Sequence, residues 1–171
     1  MAEHLIVDGY NVINSWKEFA DLRVSNLEHA RELLVGWIAE YAAFKGYKAA
    51  VVYDAQEVAG AVAVENIHGV EVVYTAEEVT ADSWIERRAY ELGRTKRDKV
   101  FVVTSDYAEQ MNILGAGAYR ISAREFREDY YKAKKEIAER LRYPKRALNR
   151  NELGGRIDGH VLEHLEMLRR R

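Results

Sequence analysis

The chain of 171 residues contains no cysteine and one proline. The first absence excludes disulfide stapling, thiolate metal centres and a cysteine nucleophile. The second, with the lack of Ser/Pro-rich, low-complexity or repeated stretches, leaves nothing that reads as an interdomain linker. A single domain over residues 1–171 is therefore expected, with a basic helical region from about residue 122. No apolar run approaches about 18 residues, the length that spans a bilayer. The start, Met1-Ala2-Glu3-His4, lacks the basic and long apolar stretches of a secretory signal, so a cytoplasmic location is the expectation. There is no G-x-S-x-G elbow and no complete phosphate loop around Gly115-Ala116-Gly117. His160 and His164 fall short of the H-E-x-x-H zinc pattern.

A charge of one sign is lacking only in the aggregate. The formal net charge is -2, yet residues 120–171 carry 15 Lys/Arg against 9 Asp/Glu, and residues 1–119 carry 11 against 19. An acidic body beside a basic C-terminal third fits an anionic partner held next to a carboxylate site, although a solvated helix surface would show the same bias.

With 48% hydrophobic residues, the chain can bury one sizeable core. His4 to Val7 is a short apolar run ending at the turn-forming pair Asp8-Gly9, which predicts a buried strand and then a long connection over residues 9–24. Ser25 and Glu28 have capping-box spacing. They predict a helix whose apolar face is Leu27, Ala30, Leu34, Trp37, Ile38 and Tyr41 and whose stop is Gly46. Runs rich in β-branched residues predict strands at 49–54, 70–74 and 100–103. Thr80 caps a helix facing inward through Ala81, Trp84, Ile85, Ala89 and Leu92, and Thr104-Ser105 open a short helix to about Leu114. Tyr119 to Ile121 is extended, and the Ser122/Glu125 capping box opens a helix with Phe126, Tyr130, Ile137 and Leu141 on its inner side. Residues 143–156 read as a basic loop, followed by an amphipathic helix through Val161, Leu162, Leu165 and Leu168. Strands alternating with helices imply an α/β fold with a mainly parallel sheet. Residues 55–69 must cross between strands without a helix signal.

Ligands of open α/β sheets bind beyond the carboxyl ends of the strands. Asp8 ends the first strand, Asp54 ends the second, Asp82 lies in the first turn of the helix after the third, and Asp106 follows the fourth. Each alone could be a turn former or a helix-dipole partner. Together they would repel one another unless a divalent cation offsets the charge, and an all-oxygen donor set favours Mg²⁺ or Mn²⁺ over zinc. Such an ion suits phosphodiester hydrolysis. Asn11, Thr104 and Ser105 stand where polar side chains could orient the acids, and Ser105 could equally be an N-cap. Arg120, Arg124, Arg127, Lys134 and Lys135 offer phosphate contacts. Tyr10, Trp16 and Tyr107 adjoin the acids and could stack on bases or fill the core. A phosphoacceptor receiver would need an acidic pair at the first strand and a lysine after a fifth. Asp8-Gly9 and the region of Ile121 offer neither.

The blocks Val7-Asp8-Gly9-Tyr10-Asn11, Val51-Val52-Tyr53-Asp54-Ala55, Thr80-Ala81-Asp82, Thr104-Ser105-Asp106-Tyr107 with Glu109-Gln110, and Gly117-Ala118 with Arg120, Ser122, Ala123, Arg124 and Glu125 occur in an order that resembles the YacP-like NYN-domain family of the PIN-like nuclease superfamily. The resemblance covers the chain to about residue 125. It implies a three-layer α/β/α sandwich and metal-dependent cleavage of RNA by a ribosome-associated messenger RNA endonuclease. Residue by residue it implies Asp8 and Asp82 as essential carboxylates, Asp106 as completing the metal site, and Asp54 in support. A non-catalytic PIN-like protein that binds RNA or the ribosome is the competing expectation.

Overall fold

The computed structural model describes residues 1–54, 63–95, 97–106 and 112–142. The chain divides into two compact units, Met1–Ala133 and Lys134–Arg171. In the first, six strands form one sheet: β1 (Glu3–Asp8), β2 (Lys48–Tyr53), β3 (Val64–Ile67), β4 (Val70–Tyr74), β5 (Lys99–Val103) and β6 (Tyr119–Ile121). Their order is β3-β4-β2-β1-β5-β6, parallel throughout except for the β3–β4 pair. The helices are α1 (Gly9–Ser15), α2 (Leu22–Ser25), α3 (Leu27–Lys45), α4 (Ala81–Gly93) and α5 (Ala123–Arg142), with a 3₁₀ turn at Lys17–Phe19. Of the second unit, residues 134–142 are described and form the C-terminal part of α5. Among the described residues no helix is long and apolar enough to cross a membrane.

The two-residue side-chain period of the strands sorts the core into two layers. Leu5, Val7, Val51 and Tyr53 join the face covered by α1, α3 and the start of α5, which carries Trp16, Phe19, Leu34, Ile38, Phe126 and Tyr130. Ile6, Val52 and Val102 point the other way, against Ala81, Ile85 and Ala89 of α4 and Ile113. The unit is thus the expected three-layer α/β/α sandwich.

Local chemistry sets most boundaries. Thr80 accepts the N–H of Ser83 at 3.1 Å, and Ser122 and Glu125 each accept the other's backbone N–H, at 3.1 and 2.7 Å. Gly46 ends α3 at φ 77°, a left-handed position that costs glycine little.

Four expectations need correction: Leu141, expected on the inner side of α5, is 73% exposed, and three concern element boundaries. Residues 9–24 are not a bare connection, because α1 starts at Gly9 with Asp8 as its N-cap, and Val12, Ile13, Trp16 and Phe19 bury one side of α1 and the 3₁₀ turn. The cap of α3 is Asn26, which accepts the N–H of His29 at 3.0 Å, whereas the Ser25 hydroxyl donates back to the carbonyl of Asp21 at 2.9 Å. Within residues 55–69, Val64–Ile67 forms an antiparallel edge strand. His68 and Gly69, at φ 52° and 84°, make the two-residue turn to β4, the positive pair that a type I′ hairpin demands. The basic loop, the last helix, His160, His164, Tyr107 and the middle of the helix expected after Thr104 lie outside the described residues.

Candidate active site

The chain passes from β1 to β2 on one side and later returns to β5 on the other, so β1 and β5 border the sheet's topological switch point, where open α/β sheets place ligands. Asp8 is the last residue of β1 and lies opposite Val52, which sets Asp54 just beyond it on the neighbouring strand. Val7 pairs with Val103, so Thr104, Ser105 and Asp106 leave β5 at the level of Asp8. Asp82 sits in the first turn of α4.

The four acids differ in their surroundings. Asp8 is 9% exposed. Burial pushes its carboxyl up from the usual 3.8 to about 6, against the lowering effect of the Asn11 N–H, and the charges of Asp82, Asp106 and Asp54 push it further the same way. Asp82 and Asp106 are exposed and Asp54 is half-buried. The charges of the other three carboxylates therefore all reach Asp8, the most buried of the four.

The polar neighbours form a brace. The Asn11 N–H donates to the Asp8 carboxylate at 3.4 Å, while the Asn11 side-chain oxygen accepts the N–H of Ser105 at 3.1 Å. Asn11 thereby ties the loop after β1 to the loop after β5. The buried Thr104 accepts the N–H of Asp106 at 3.2 Å. The Ser105 hydroxyl accepts the N–H of Ala123 at 3.0 Å at the start of α5, a brace between the two segments, while the helix that Ser105 was expected to cap begins outside the described residues. The carbonyl of Ala123 in turn accepts the Trp16 indole N–H at 2.8 Å. Gly9 is required by close approach, since a Cβ there would stand 2.2 Å from Cε1 of Tyr53.

Other candidates fall elsewhere. Trp16 is a core residue, 2% exposed, and takes no part in stacking on a ligand. Tyr10 is half-buried against the Tyr53 ring, with centroids 5.0 Å apart, and its hydroxyl accepts from Arg31 at 3.2 Å. Arg120 is exposed on β6, and Arg124 is exposed with Glu128 at 3.4 Å. Arg127 forks onto both carboxylate oxygens of Glu18 and packs over the Tyr131 ring. Lys134 and Lys135 are exposed and belong to the second unit. The sequence did not single out Glu18 or Arg31; only the apolar spacing of the segment around Glu18 hinted at a folded element there.

The donor set suits a hard cation. It is all carboxylate oxygen, and its central member is held near pKa 6 partly by charges that a cation would offset. Among the described residues no group of three or more His, Asp or Glu side chains is spaced to hold an ion by itself. Magnesium is commonly held by one or two carboxylates, with water completing the shell, so the residues fit a hydrated ion better than an all-protein cage.

An α/β sandwich with carboxylates converging at the switch point of its sheet defines the class: a NYN domain of the PIN-like nuclease type. The chain belongs to the YacP-like NYN domain family, whose sequence profile matches residues 5–170. It is 41% identical over 138 residues to a Bacillus subtilis (strain 168) protein described as uncharacterized protein YacP, covering 81% of each chain. It also resembles the crystal structure of a tryptophan-to-leucine variant of Rae1 (YacP) from Bacillus subtilis, with a TM-score of 0.74, 38% identity and coverage of 87% of this chain and 88% of that one. A second Rae1 (YacP) crystal structure matches with a TM-score of 0.70 and 35% identity, over 98% of this chain and 94% of that one. Membership of this family implies nuclease activity and RNA as the substrate.

Proposed function

We propose that this protein is a Mg²⁺- or Mn²⁺-dependent endoribonuclease that cleaves messenger RNA in association with the ribosome, in the cytoplasm. One observation carries the reading. The fold buries Asp8 beside three other carboxylates at the switch point, an arrangement that disfavours its ionised form and so works against stability unless a cation compensates.

Asp8, Asp82 and Asp106 would hold the metal together with its water shell, with Asp54 in support. A bound ion supplies an activated water and charge stabilisation at the scissile phosphate. The chain's own residues do the positioning. Asn11 keeps Asp8 and the Asp106 loop at fixed separation through its two bonds, and Thr104 holds the Asp106 backbone. Arg120, Arg124, Lys134 and Lys135 supply phosphate contacts that carry affinity without reading sequence. Arg127 joins them only by sharing its guanidinium with Glu18.

A non-catalytic RNA- or ribosome-binding role is the second reading, favoured by the lack of a ready three-ligand group among the described residues. The two are separated by incubating the purified chain with RNA, with and without ribosomes, in Mg²⁺, Mn²⁺ or EDTA. Cleavage should require the metal, and Asp8→Asn and Asp82→Asn should each slow it by about 10²- to 10⁴-fold, the range for losing a group that handles the reacting proton or water. Cleavage by both variants at the wild-type rate sinks the assigned site. Loss of cleavage by the wild type in both formats favours the binder.

A further inference from the structure

A cavity of about 540 Å³ opens beside α4, lined by Ser83, Glu86, Arg87 and Tyr90 of that helix and by Asn112 and Ala116 opposite. Its size falls within the about 300–1,000 Å³ typical of small-ligand sites. Ser83 directly follows Asp82, so the cavity begins at the end of α4 that carries one of the site's acids. The two walls meet closely at the far end, where a Cβ on Gly93 would stand 3.0 Å from the Ala116 carbonyl oxygen. Tyr90 is 59% exposed on this surface. Arg87 is exposed, and among the described residues it pairs with no carboxylate. The Glu86 carboxylate lies 3.5 Å from the Asn112 side-chain amide of the opposite wall and has room to accept further bonds.

We infer that this cavity is a nucleotide subsite that takes one unpaired nucleotide of the RNA, flanking the phosphate to be cleaved. The inference deepens the nuclease reading and rests on it for the substrate class. An exposed tyrosine ring is a platform on which any base can stack. A guanidinium one turn towards Asp82 suits the adjoining phosphate. Glu86 selects among bases, because a carboxylate accepts hydrogen bonds but cannot donate them. Adenine, cytosine and guanine present amino donors on their pairing edges. Uracil presents a single N–H flanked by two carbonyl oxygens, which the carboxylate repels. The subsite therefore admits amino-bearing bases and disfavours uracil.

The test measures binding of the full chain to fluorescent oligo(A) and oligo(U) ribonucleotides of about eight residues, a length within the footprint of single-strand sites, in EDTA so that cleavage plays no part. Oligo(A) should bind more tightly than oligo(U). Tyr90→Ala should weaken oligo(A) binding about 5- to 160-fold, the range for losing one stacked base. Arg87→Ala should lower the salt slope by about 0.7, the value for one phosphate contact on a single strand. Glu86→Gln should narrow the preference for oligo(A) over oligo(U). Wild-type affinity and slope in Tyr90→Ala and Arg87→Ala overturn the inference, as does equal binding of the two oligonucleotides or binding of neither. The same variants, read for cleavage in Mg²⁺, keep the two ideas apart. Altered binding with a wild type that cleaves neither free RNA nor RNA presented on ribosomes removes the nuclease reading and keeps the subsite, whereas unchanged binding with full cleavage removes the subsite alone.

Discussion

The two faces of the sheet are built to different standards. On the side of α1, α3 and α5, Trp16 contacts Phe19, Trp37, Phe126 and Tyr130 at ring separations from 5.5 to 6.3 Å, and its indole N–H is tied to Ala123. On the side of α4, the buried residues are Ile, Val and Ala, and Trp84 is only partly covered. The aromatic face spends its large rings on holding three helices, and through Ala123 and Ser105 it also fixes the loop that carries Asp106. The aliphatic face gives up area and gains access, since strand alternation aims Asp8 to the side of Ile6, where Asp82 of α4 stands. Rigidity and openness are divided between the two sides of one sheet.

The sharpest way to break that contrast is to truncate a ring on each side. Trp16→Ala should cost about 3–5 kcal/mol, as for other fully buried aromatics, and Trp84→Ala about half as much. Denaturant unfolding measures both. Equal losses would mean that the two faces share the load.

A smaller effect concerns Asp8 itself. Its native carboxyl titrates near 6 and its ordinary value is 3.8, so the folded chain retains a proton that the unfolded chain releases. Stability therefore falls as pH rises from about 4 to about 6, and the deficit above that window is about 3 kcal/mol, at 1.36 kcal/mol per unit. Asp8→Asn should be more stable than the wild type by up to that amount at pH 8 without metal, and the gap should close below pH 4. Adding Mg²⁺ should stabilise the wild type and leave the variant unchanged. A variant that is less stable at pH 8 would show that the acid site carries no strain.

The smallest effect lies at the Glu18–Arg127 fork on the aromatic side. Hydrogen bonds from Arg127 hold the Glu18 carboxyl down at about 2. Its contribution is present above the ordinary 4.5 and is lost as pH falls through 2. Solvent screening keeps that contribution to about 0.5–1 kcal/mol, so Glu18→Gln should lower stability by no more than this near neutral pH and make no difference in strong acid. Thermal melts at the two pH values check it.

Legibility in the sequence followed the range of the interactions. The inner strands were plain because Val-rich runs are buried on both faces, and Thr80 and Ser122 were plain because a cap is a contact within three residues. The edge strand at Val64–Ile67 escaped because none of its residues is fully buried and it holds two apolar residues in four, without alternation. Asp8-Gly9 reads equally as a turn or as an N-cap before a helix. The spacing of Val12, Ile13, Trp16 and Phe19 decided for the helix and was available to be read. The four acids were legible because strand ends collect at one edge whatever the details of the loops. Their grading was not: nothing local distinguishes the buried Asp8 from the exposed Asp82. The Asn11–Ser105 and Glu18–Arg127 contacts join residues 94 and 109 positions apart, and no pattern along the chain marks such pairs.

Asp8 closes β1 and caps α1 with the same carboxylate. Asparagine caps a helix as well as aspartate does, whereas glutamate is a poor substitute in that position. One transition in an aspartate codon gives asparagine, so the gene stands a single nucleotide from a version that keeps the cap of α1 and has lost its buried acid. If Asp8 carries the cleavage proposed above, that single change is a short route from a cutting protein to a holding one, and the laboratory has the same route to a trapped complex.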